Sequence, residues 1–426
     1  MAATDSAQVT PTAGGPVGVQ TAERVSARVP AAVRAERRAW LILWVAFATL
    51  CALVFATIKF SIEFISTAQV DQSAEVTASR GQVVLGLPGS AEKTLLGNRT
   101  GMGVGTALSL DRTTSADLQF FDDSRIKMLG GSSVELTRME VGRFINQHSL
   151  LLTQTGGPIR YATSGSPMDV LVPKGLVQLA AHGDYTVWLD GDVTRVLVYG
   201  GEARVSAGGV TVPVPDGHRT EIDGEGRVQT PAERKFPILL NSDFSNRYDN
   251  WQAWDEGVGQ PNSPLDVNGQ RFLVAGPDDG SIALRVYRES VKAEHGETGL
   301  VQKLNQQVSG FRHLWLKAMV RLDYADLSGG GTLGSEYPMM LQVKYEAPGE
   351  NTLIPWVVGL YYSNQDNRKV PEGVGMQWPQ GEWKAYSVDL MDTEPSNVPY
   401  RLIEFGVMGQ GHSYDARISN ISLVGD

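Results

Sequence analysis

A run of twenty uncharged residues, from Ala39 to Ile58, constrains this chain more than any other feature of its sequence. It reads AWLILWVAFATLCALVFATI. As a helix rising 1.5 Å per residue, the run would span about 30 Å, the thickness of a bilayer's hydrocarbon core. Trp40 and Trp44 suit the interface between lipid and water. A buried core helix rarely lacks any charge over this length. The run therefore predicts a transmembrane helix, which we place at residues 39–60.

The charges on either side of this run set its orientation. Lys59 and then Glu63 follow it, whereas five arginines precede it: Arg24, Arg28, Arg34, Arg37 and Arg38. The positive-inside rule therefore places the N-terminus in the cytoplasm and the C-terminal part outside the membrane. A cleaved signal peptide, with Ser66-Thr67-Ala68 as its exit, is the alternative. Its apolar core would be about 7–15 residues, shorter than this run. We interpret the run as a signal-anchor of a single-pass cell-membrane protein.

Residues 1–38 contain Ala, Thr, Gly, Pro and Val with scattered Arg, and almost no large apolar side chains. Such a segment cannot bury enough apolar surface to offset the entropy of folding. It is therefore predicted to be a disordered cytoplasmic tail, too short for a catalytic domain. The function is expected to lie outside the membrane.

Composition excludes several classes of protein. The net charge of −10 argues against non-specific binding to nucleic acid, which needs a basic surface. The single cysteine, Cys51, lies inside the apolar run, so no intramolecular disulfide can form. The 47 glycines suit an all-β protein with many tight turns.

Residues 74–230 show short alternating segments separated by turn signals. Alternation is clear at residues 194–198 and 203–205, and the turns include Gly130-Gly131, Asp190-Gly191-Asp192 and Gly208-Gly209. This spacing predicts an all-β unit, either a sandwich or a rolled sheet.

The order of residues in this segment resembles the FecR domain. The matching parts are Asp122-Asp123-Ser124 before a strand, Val172-Pro173, the Val196 to Val205 strand pair and Pro215-Asp216-Gly217. Gly183-Asp184-Tyr185 departs from the Gly-Thr-x-Phe of that family. FecR domains occur in envelope proteins, including regulators that pass an outside signal through a membrane helix to a sigma factor. The resemblance implies a β fold more than a particular function.

Residues 236–426 resemble a β-jelly roll of the carbohydrate-binding-module type. The likeness rests on Asn241-Ser242-Asp243-Phe244, an early Trp251, the segment from Gly381 to Leu390, and Tyr414-Asp415 before alternating apolar residues. The whole chain is thus predicted to be mostly β: one transmembrane α-helix, a FecR-like β-domain and a β-jelly-roll sandwich.

In such a fold, Phe244, Trp251, Trp383 and Tyr386 are expected in the core, while Trp315 could face either way. Aromatic residues near turns are the better candidates for stacking on sugar rings. With one nearby carboxylate, the predicted ligand-binding residues are Trp254, Trp356, Tyr361, Tyr362, Trp378 and Asp366. Further polar contacts are expected from Gln342, Asn364, Gln365 and Arg368.

Asp243 and Asp415 stand near opposite ends of the second segment, and the terminal strands of a jelly roll usually lie together. The two carboxylates could therefore share a structural calcium ion with backbone carbonyls. The alternative is that both are solvated turn residues.

Catalytic motifs are missing from the sequence. The six histidines are scattered without HxH or HxxxH spacing, and there is no GxSxG elbow and no P-loop. The chain is therefore predicted not to be an enzyme. Its expected function is that of a membrane-anchored envelope protein whose outer β-domains bind a polysaccharide or an envelope protein. Two alternatives stay open, namely a transmembrane signalling component and a structural assembly protein.

Overall fold

The computed structural model of the protein describes residues 31–67, 69–81, 83–89, 93–95, 100–142, 148–257, 268–290, 295–327, 329, 336–350, 352–364, 370–371, 373–393 and 397–426. It divides into two compact units, Met1–Thr67 and Ala68–Asp426.

The first unit contains the helix α1 (Ala31–Thr67). Within it, the 26 residues Arg38–Glu63 have a mean hydropathy of 2.5 and no buried side chains. This segment is long and apolar enough to cross a membrane, as the sequence predicts. The helix begins at Ala31, so residues 31–38 are helical where an unstructured tail was expected. The segment AAVRAERR has high helix propensity and continues the apolar helix without a break. The remainder of the expected tail, residues 1–30, lies outside the described residues.

The second unit begins with a region that we call the first β region. Its strands are β1 (Gln69–Asp71), β2 (Ala74–Arg80), β3 (Val83–Gly86), β4 (Lys93–Leu95), β5 (Thr100–Met102), β6 (Ala107–Leu110), β7 (Ser115–Gln119), β8 (Arg125–Met128), β9 (Ser133–Gly142), β10 (His148–Ala162), β11 (Met168–Val172), β12 (Gly175–Leu179), β13 (Asp184–Asp190), β14 (Val193–Gly200), β15 (Glu202–Ala207), β16 (Val210–Pro215), β17 (His218–Ile222) and β18 (Ala232–Glu233).

These strands form two sheets that share the long strand β10. One sheet has the order β4-β3-β6-β9-β10-β11-β12-β15-β16, with β1 beside the far end of β9. The other has the order β5-β2-β7-β8-β10-β13-β14-β17-β18. Strand β10 leaves the first sheet at a bulge near Gly156 and enters the second at Gly157. Alternate apolar side chains of both sheets fill the space between them.

The remaining strands form a β-sandwich that we call the second sandwich. They are β19 (Phe236–Pro237), β20 (Gln252–Gly257), β21 (Gly269–Ala275), β22 (Ile282–Arg288), β23 (Gly296–Gln307), β24 (Leu314–Ala325), β25 (Tyr337–Glu346), β26 (Ile354–Tyr361), β27 (Gly375–Gln377), β28 (Lys384–Asp389), β29 (Arg401–Gly411) and β30 (Tyr414–Gly425). One sheet has the order β21-β22-β30-β24-β28, with β19 beside β30, and the other has the order β20-β23-β29-β25-β26-β27. The predicted fold class is confirmed: the protein is mostly β, with one helix long and apolar enough to cross a membrane ahead of sandwich sheets.

The core of the second sandwich contains three of the four aromatic residues expected there. Phe244, Trp251 and Tyr386 are buried in it, whereas Trp383 is only half-buried. The sheet system changes between β18 and β19, close to the predicted division of the outer part into 74–230 and 236–426. Since Ala68–Asp426 forms one compact unit, that division stays a prediction.

The two β regions pack tightly against each other. Trp188 and Leu197 come from the first β region but belong to the core cluster of the second sandwich. The Trp188 ring meets the edge of Phe311 at 5.3 Å between centroids. Beside them, Arg312 donates two hydrogen bonds to the carboxylate of Asp184. A buried indole and a bidentate ion pair therefore fix the two regions to each other.

Candidate functional site

The outer face of the sheet β21-β22-β30-β24-β28 carries aromatic and charged side chains in two adjacent rows. In one row, Tyr287 faces Asp415, which in turn faces Tyr324. The other row consists of Phe272, Arg285, Arg417 and Arg321. Because neighbouring strands lie about 4.8 Å apart, the side chains of each row are within reach of one another. We call this surface the aromatic face.

Strand alternation puts these side chains outside. Leu284 and Val286 of β22 are fully buried, and Arg285 and Tyr287 between and after them point the other way. A bulge in β24 after Leu322 adds one residue and brings Tyr324 opposite β30. Such bulges re-aim side chains at the edges of sheets.

Two rings of the aromatic face are open to solvent. Phe272 is 40% exposed and Tyr324 is 49% exposed. Outside α1, they are the two aromatic side chains that the described part of the chain leaves exposed. Because both rings lie on one sheet face, that face is the candidate binding surface.

Arg285 organises the centre of the aromatic face. Its Nε and Nη2 atoms donate to the two carboxylate oxygens of Asp415 at 2.8 and 2.6 Å. Its guanidinium also lies 5.1 Å from the ring centre of Tyr287 and 5.9 Å from that of Phe272. The hydrogen bonds that Arg285 donates to Asp415 raise the pKa of Arg285. The arginine thus stays charged and keeps the rings and the carboxylate in fixed positions.

The remaining charges of this face are balanced in the same manner. Arg321 pairs with Asp323 at 2.6 Å, and Arg417 pairs with the same carboxylate at 3.2 Å. The Tyr287 hydroxyl donates to Glu289 at 3.0 Å. The hydroxyl of Tyr324 donates to Asp326, and that hydrogen bond raises the pKa of Tyr324 to about 12. Both rings therefore stay neutral at physiological pH.

This arrangement has the chemistry of a sugar-binding platform. Neutral aromatic rings offer apolar faces for the C–H groups of a pyranose ring. Fixed guanidinium and carboxylate groups between the rings can donate to and accept from the sugar hydroxyls. Tyr287 and Tyr324 are two strands apart, about 10 Å, so an extended ligand could contact both.

Trp315, which sequence alone could not orient, also lies on this outer face. It is half-buried and alternates with the buried Leu314 and Leu316. His313 stacks on it at 6.0 Å, and the amino group of Lys317 lies 5.5 Å from its ring centre. Nine residues of extended strand, about 30 Å, separate Trp315 from Tyr324. It therefore lies at the opposite end of the face.

Trp254, a predicted ligand residue, lies on the opposite sheet of the sandwich. It packs on a small outer cluster of Val301, Met340 and Met408. Its indole nitrogen donates to Glu297 at 3.4 Å, and the amino group of Lys344 lies 5.2 Å from its ring centre. One side of the indole is thus packed, and Lys344 lies near the ring. The Trp254 side chain is therefore less exposed than those of Phe272 and Tyr324.

Lys344 also forms an ion pair with Glu404. This buried carboxylate leads to a prediction about how the stability of the fold depends on pH. It is 4% exposed and forms ion pairs with Lys303 and Lys344. Burial raises its pKa, but the hydrogen bonds from the two lysines outweigh burial and the net pKa is lowered. Its stabilising contribution is therefore complete above the unfolded value of 4.5 and is lost as the pH falls through the lower folded pKa. We expect Glu404→Gln to lower the free energy of unfolding at pH 7 by about 1–2 kcal/mol.

Denaturant unfolding of both proteins from pH 7 to pH 2 checks this expectation, because the difference between them should vanish at the acid end. Glu297→Gln serves as a control, because the pKa of Glu297 is shifted in the opposite direction. Burial raises its pKa, so its ionised form costs stability as the pH rises above 4.5. A Glu404→Gln difference that grows as the pH falls would contradict the assignment.

Three predicted ligand residues, Trp356, Tyr361 and Tyr362, lie in β26 or directly after it and contact other parts of the second sandwich. Trp356 pairs with Val343, faces inward and packs against the core of the second sandwich. The hydroxyl of Tyr362 both donates to and accepts from the backbone of Ala325. Tyr361 is half-buried, with its ring centre 6.5 Å from that of Tyr337. Three strands separate β26 from the strand of Trp254, so these residues do not form one site.

Of the two remaining predicted residues, one is buried and one lies outside the described part of the chain. Trp378 is 5% exposed, lies in the core of the second sandwich and donates its indole N–H to the carbonyl of Val320 at 3.2 Å. Its position before Pro379 suggested a turn, but the ring folds inward against Tyr386. Asp366, with its neighbours Gln365 and Arg368, lies outside the described residues.

The two aspartates predicted to share calcium have separate partners. Asp243 accepts hydrogen bonds from the backbone and hydroxyl of Ser245, which lower its pKa. Asp415 is bound by Arg285. Among the described residues there is no group of three or more His, Cys, Asp or Glu that could hold a metal ion. The structural calcium ion stays a prediction. Asp415 belongs to the aromatic face because it accepts hydrogen bonds from Arg285.

Sequence reasoning missed Phe272, Tyr287 and Tyr324. All three lie inside strands, where an aromatic residue is more often part of the core. One local signal was present, since Arg285 and Tyr287 alternate with apolar residues in IALRVYR. Which strands lie side by side, and hence which of these residues meet, depends on the sheet order.

Comparisons with solved structures give low similarity. An anti-sigma factor from Parabacteroides distasonis is 11% identical over 34% of this chain and 71% of its own, with a TM-score of 0.26. A family 11 carbohydrate-binding module from Clostridium thermocellum is 12% identical over 45% of this chain and 95% of its own, with a TM-score of 0.27. A carbohydrate-binding module in complex with β-1,4-galactotriose is 11% identical over 45% of this chain and 99% of its own, also with a TM-score of 0.27. No protein-family model and no curated protein matches this chain. Scores this low carry no argument about function.

Proposed function

We propose that this chain is a membrane-anchored, non-catalytic binding protein whose second sandwich binds a glycan on the aromatic face. One observation carries the proposal. The two exposed rings of the described β-strands, Phe272 and Tyr324, lie on the same sheet face as Tyr287 and a fixed arginine–aspartate pair. Rings and polar groups in this combination favour a ligand with alternating apolar and hydroxyl surfaces.

In this proposal α1 is the membrane anchor, the N-terminus lies in the cytoplasm and the second unit lies outside. The apolar segment Arg38–Glu63 supplies the length, and the five preceding arginines supply the orientation. A binding domain held at a cell surface in this way would retain an envelope polymer close to the membrane.

A binding role suits the chemistry of the aromatic face better than catalysis. Two of its carboxylates, Asp415 and Asp323, are paired with guanidinium groups. The other two, Glu289 and Asp326, accept hydrogen bonds from tyrosine hydroxyls. A general acid or base needs a carboxyl that can reach the reacting group, whereas each of these carboxylates is already bound by a neighbouring side chain. Fixed donors and acceptors position hydroxyl groups.

The full-length protein in polyoxyethylene detergent micelles tests this proposal, because such a detergent has no sugar headgroup. We expect it to be retained by at least one polysaccharide of a panel of insoluble neutral glycans. The double variant Phe272→Ala/Tyr324→Ala should lower the affinity about tenfold or more, since each lost stacking contact contributes about 1 kcal/mol. Both side chains are exposed, so the fold should survive.

Trp254→Ala is the matched control, because it removes an aromatic residue from the other sheet. The proposal predicts that this variant binds like the wild type. Loss of binding in Trp254→Ala, with none in the double variant, would move the site to the opposite sheet. Retention of no glycan by the wild type would remove the proposed function.

The two alternatives from the sequence stay predictions. The FecR-like order of residues in the first β region favours signalling, and unpaired sheet edges would favour structural assembly. Deletion of residues 2–36 tests the first, since a signalling protein should then lose its effect on transcription.

A further inference from the structure

A second surface of interest is a cleft of about 430 Å³ between the first β region and the second sandwich. Its volume is within the range of small-ligand sites. Five basic side chains and one acidic side chain, Asp392, line it. The basic ones are Arg80, Arg112, Lys127, Arg160 and Arg312. The whole chain carries a net charge of −10, so this concentration of positive charge runs against its average.

Four of these five positive charges have no ion-pair partner in the described part of the chain. Of the five, only Arg312 forms an ion pair among the residues that the structure describes, and its partner is Asp184. Arg112 lies over the ring of Tyr400 at 5.3 Å. A concave surface with one sign of charge focuses its field and attracts counter-ions of the opposite sign.

Lys127 and Arg160 bring two like charges together. They are direct cross-strand partners on β8 and β10, and like charges in that position repel each other. Asp117 is the partner of Lys127 on β7, on the side away from Arg160, so Arg160 has no acidic cross-strand partner. Arg160 is also half-buried, its Nε atom is buried without a hydrogen-bond partner, and its Nη2 atom donates to the carbonyl of Phe311 at 3.1 Å. Burial, and then the charge of Arg312, lower the pKa of Arg160. A bound anion would relieve both effects.

The cleft is also preorganised. Arg160 reaches across to the carbonyl of Phe311, and Arg312 reaches back to Asp184, so both walls are fixed by contacts between the two regions. Tyr400, Met391 and Val398 add apolar surface to the same lining. Fixed cations beside an apolar wall suit a charged group attached to a sugar ring better than a bare ion.

We propose that this cleft binds the oxyanion groups, carboxylate or phosphate, of an acidic polysaccharide. The proposal goes beyond the aromatic face, which has balanced charge and suits neutral sugar surfaces. In the cleft, Lys127 and Arg160 would contact the oxyanion, while Tyr400 and its neighbours would pack against the ring. Arg312 would act by positioning, because its guanidinium is bound to Asp184.

Binding of polygalacturonate to the full-length protein in polyoxyethylene detergent micelles tests the proposal. The fully methyl-esterified polymer is the matched neutral ligand. We expect the acidic polymer to bind at least tenfold more tightly. Its affinity should fall steeply in about 1 M salt, where the screening length is about 3 Å. Equal binding of the two polymers would overturn the proposal.

Variants locate the site. Lys127→Glu reverses an exposed charge on a strand and should weaken binding about tenfold or more. Lys317→Glu is the matched control, since it makes the same change at an exposed strand position of the aromatic sheet. Arg160→Gln should weaken binding without reversing charge. If Lys317→Glu weakens binding as much as Lys127→Glu, the attraction is non-specific and the proposal fails.

One further measurement distinguishes phosphate from carboxylate as the bound group, and another distinguishes the cleft from the aromatic face. If inorganic tripolyphosphate displaces polygalacturonate, the site accepts phosphate, and if it does not, the site is specific for uronate carboxylates. Phe272→Ala/Tyr324→Ala should bind polygalacturonate as the wild type does. Loss of glycan retention by that variant and loss of acid binding by Lys127→Glu are therefore independent results.

Discussion

Trp188→Ala is expected to lower the free energy of unfolding of the full-length protein by about 3–5 kcal/mol. Trp188 is fully buried where the first β region meets the second sandwich. Its ring meets Phe311 edge-on, and the guanidinium of Arg195 lies 4.9 Å from its centre. Gly310 leaves room for the indole, because a Cβ there would lie 2.5 Å from the ring. Truncation would leave a cavity that this fixed interface cannot close.

Denaturant unfolding in detergent, followed by far-UV circular dichroism, measures this loss. Trp315→Ala is the matched control, because it removes the same side chain from the half-buried outer face of β24. We expect that control to cost about 1 kcal/mol or less. A similar small cost for Trp188→Ala would mean that the two β regions are held together without this contact.

The long apolar helix and the β character of the remainder could be predicted from sequence because both depend on local patterns. Twenty consecutive uncharged residues predict a helix long and apolar enough to cross a bilayer, and α1 contains that segment. The alternation at residues 194–198 marks a strand, and Val196 and Val198 are fully buried as expected. Leu197 is buried too, because the opposite face of β14 packs on the second sandwich. That second burial is a tertiary effect and leaves no mark in the local pattern.

Candidate site residues were harder to predict because exposure depends on the order of strands in each sheet. Trp378 precedes a proline and suggested an exposed turn, yet it packs into the core. Tyr324 lies at the end of a strand, where a bulge that leaves no clear mark in the sequence turns it outward. Asp415 was singled out as a metal ligand, and its actual partner, Arg285, is 130 residues away. The basic cleft combines residues between Arg80 and Tyr400 and has no sequence signature.

Gly157→Ala is the second substitution with a large expected effect, about 2–4 kcal/mol of lost stability. Gly157 is the point at which β10 enters its second sheet, with φ of 64°, where a side chain costs about 1 kcal/mol. A Cβ there would also lie 2.7 Å from the backbone of Gly131 and Ser132, which cannot move aside without breaking strand pairing. That overpacking adds about 1–3 kcal/mol.

Gly191→Ala separates the two contributions. Gly191 has a similar φ of 59° in the turn between β13 and β14, but nothing lies within 4 Å of its Cβ position. It should lose only the conformational part, about 1 kcal/mol. Since Arg160 follows Gly157 by three residues on β10, the clash should also displace Arg160 and weaken polygalacturonate binding, which Gly191→Ala should leave unchanged. Equal stability losses in the two variants would show that β10 can shift at the crossing, and that its position does not hold the basic cleft in place.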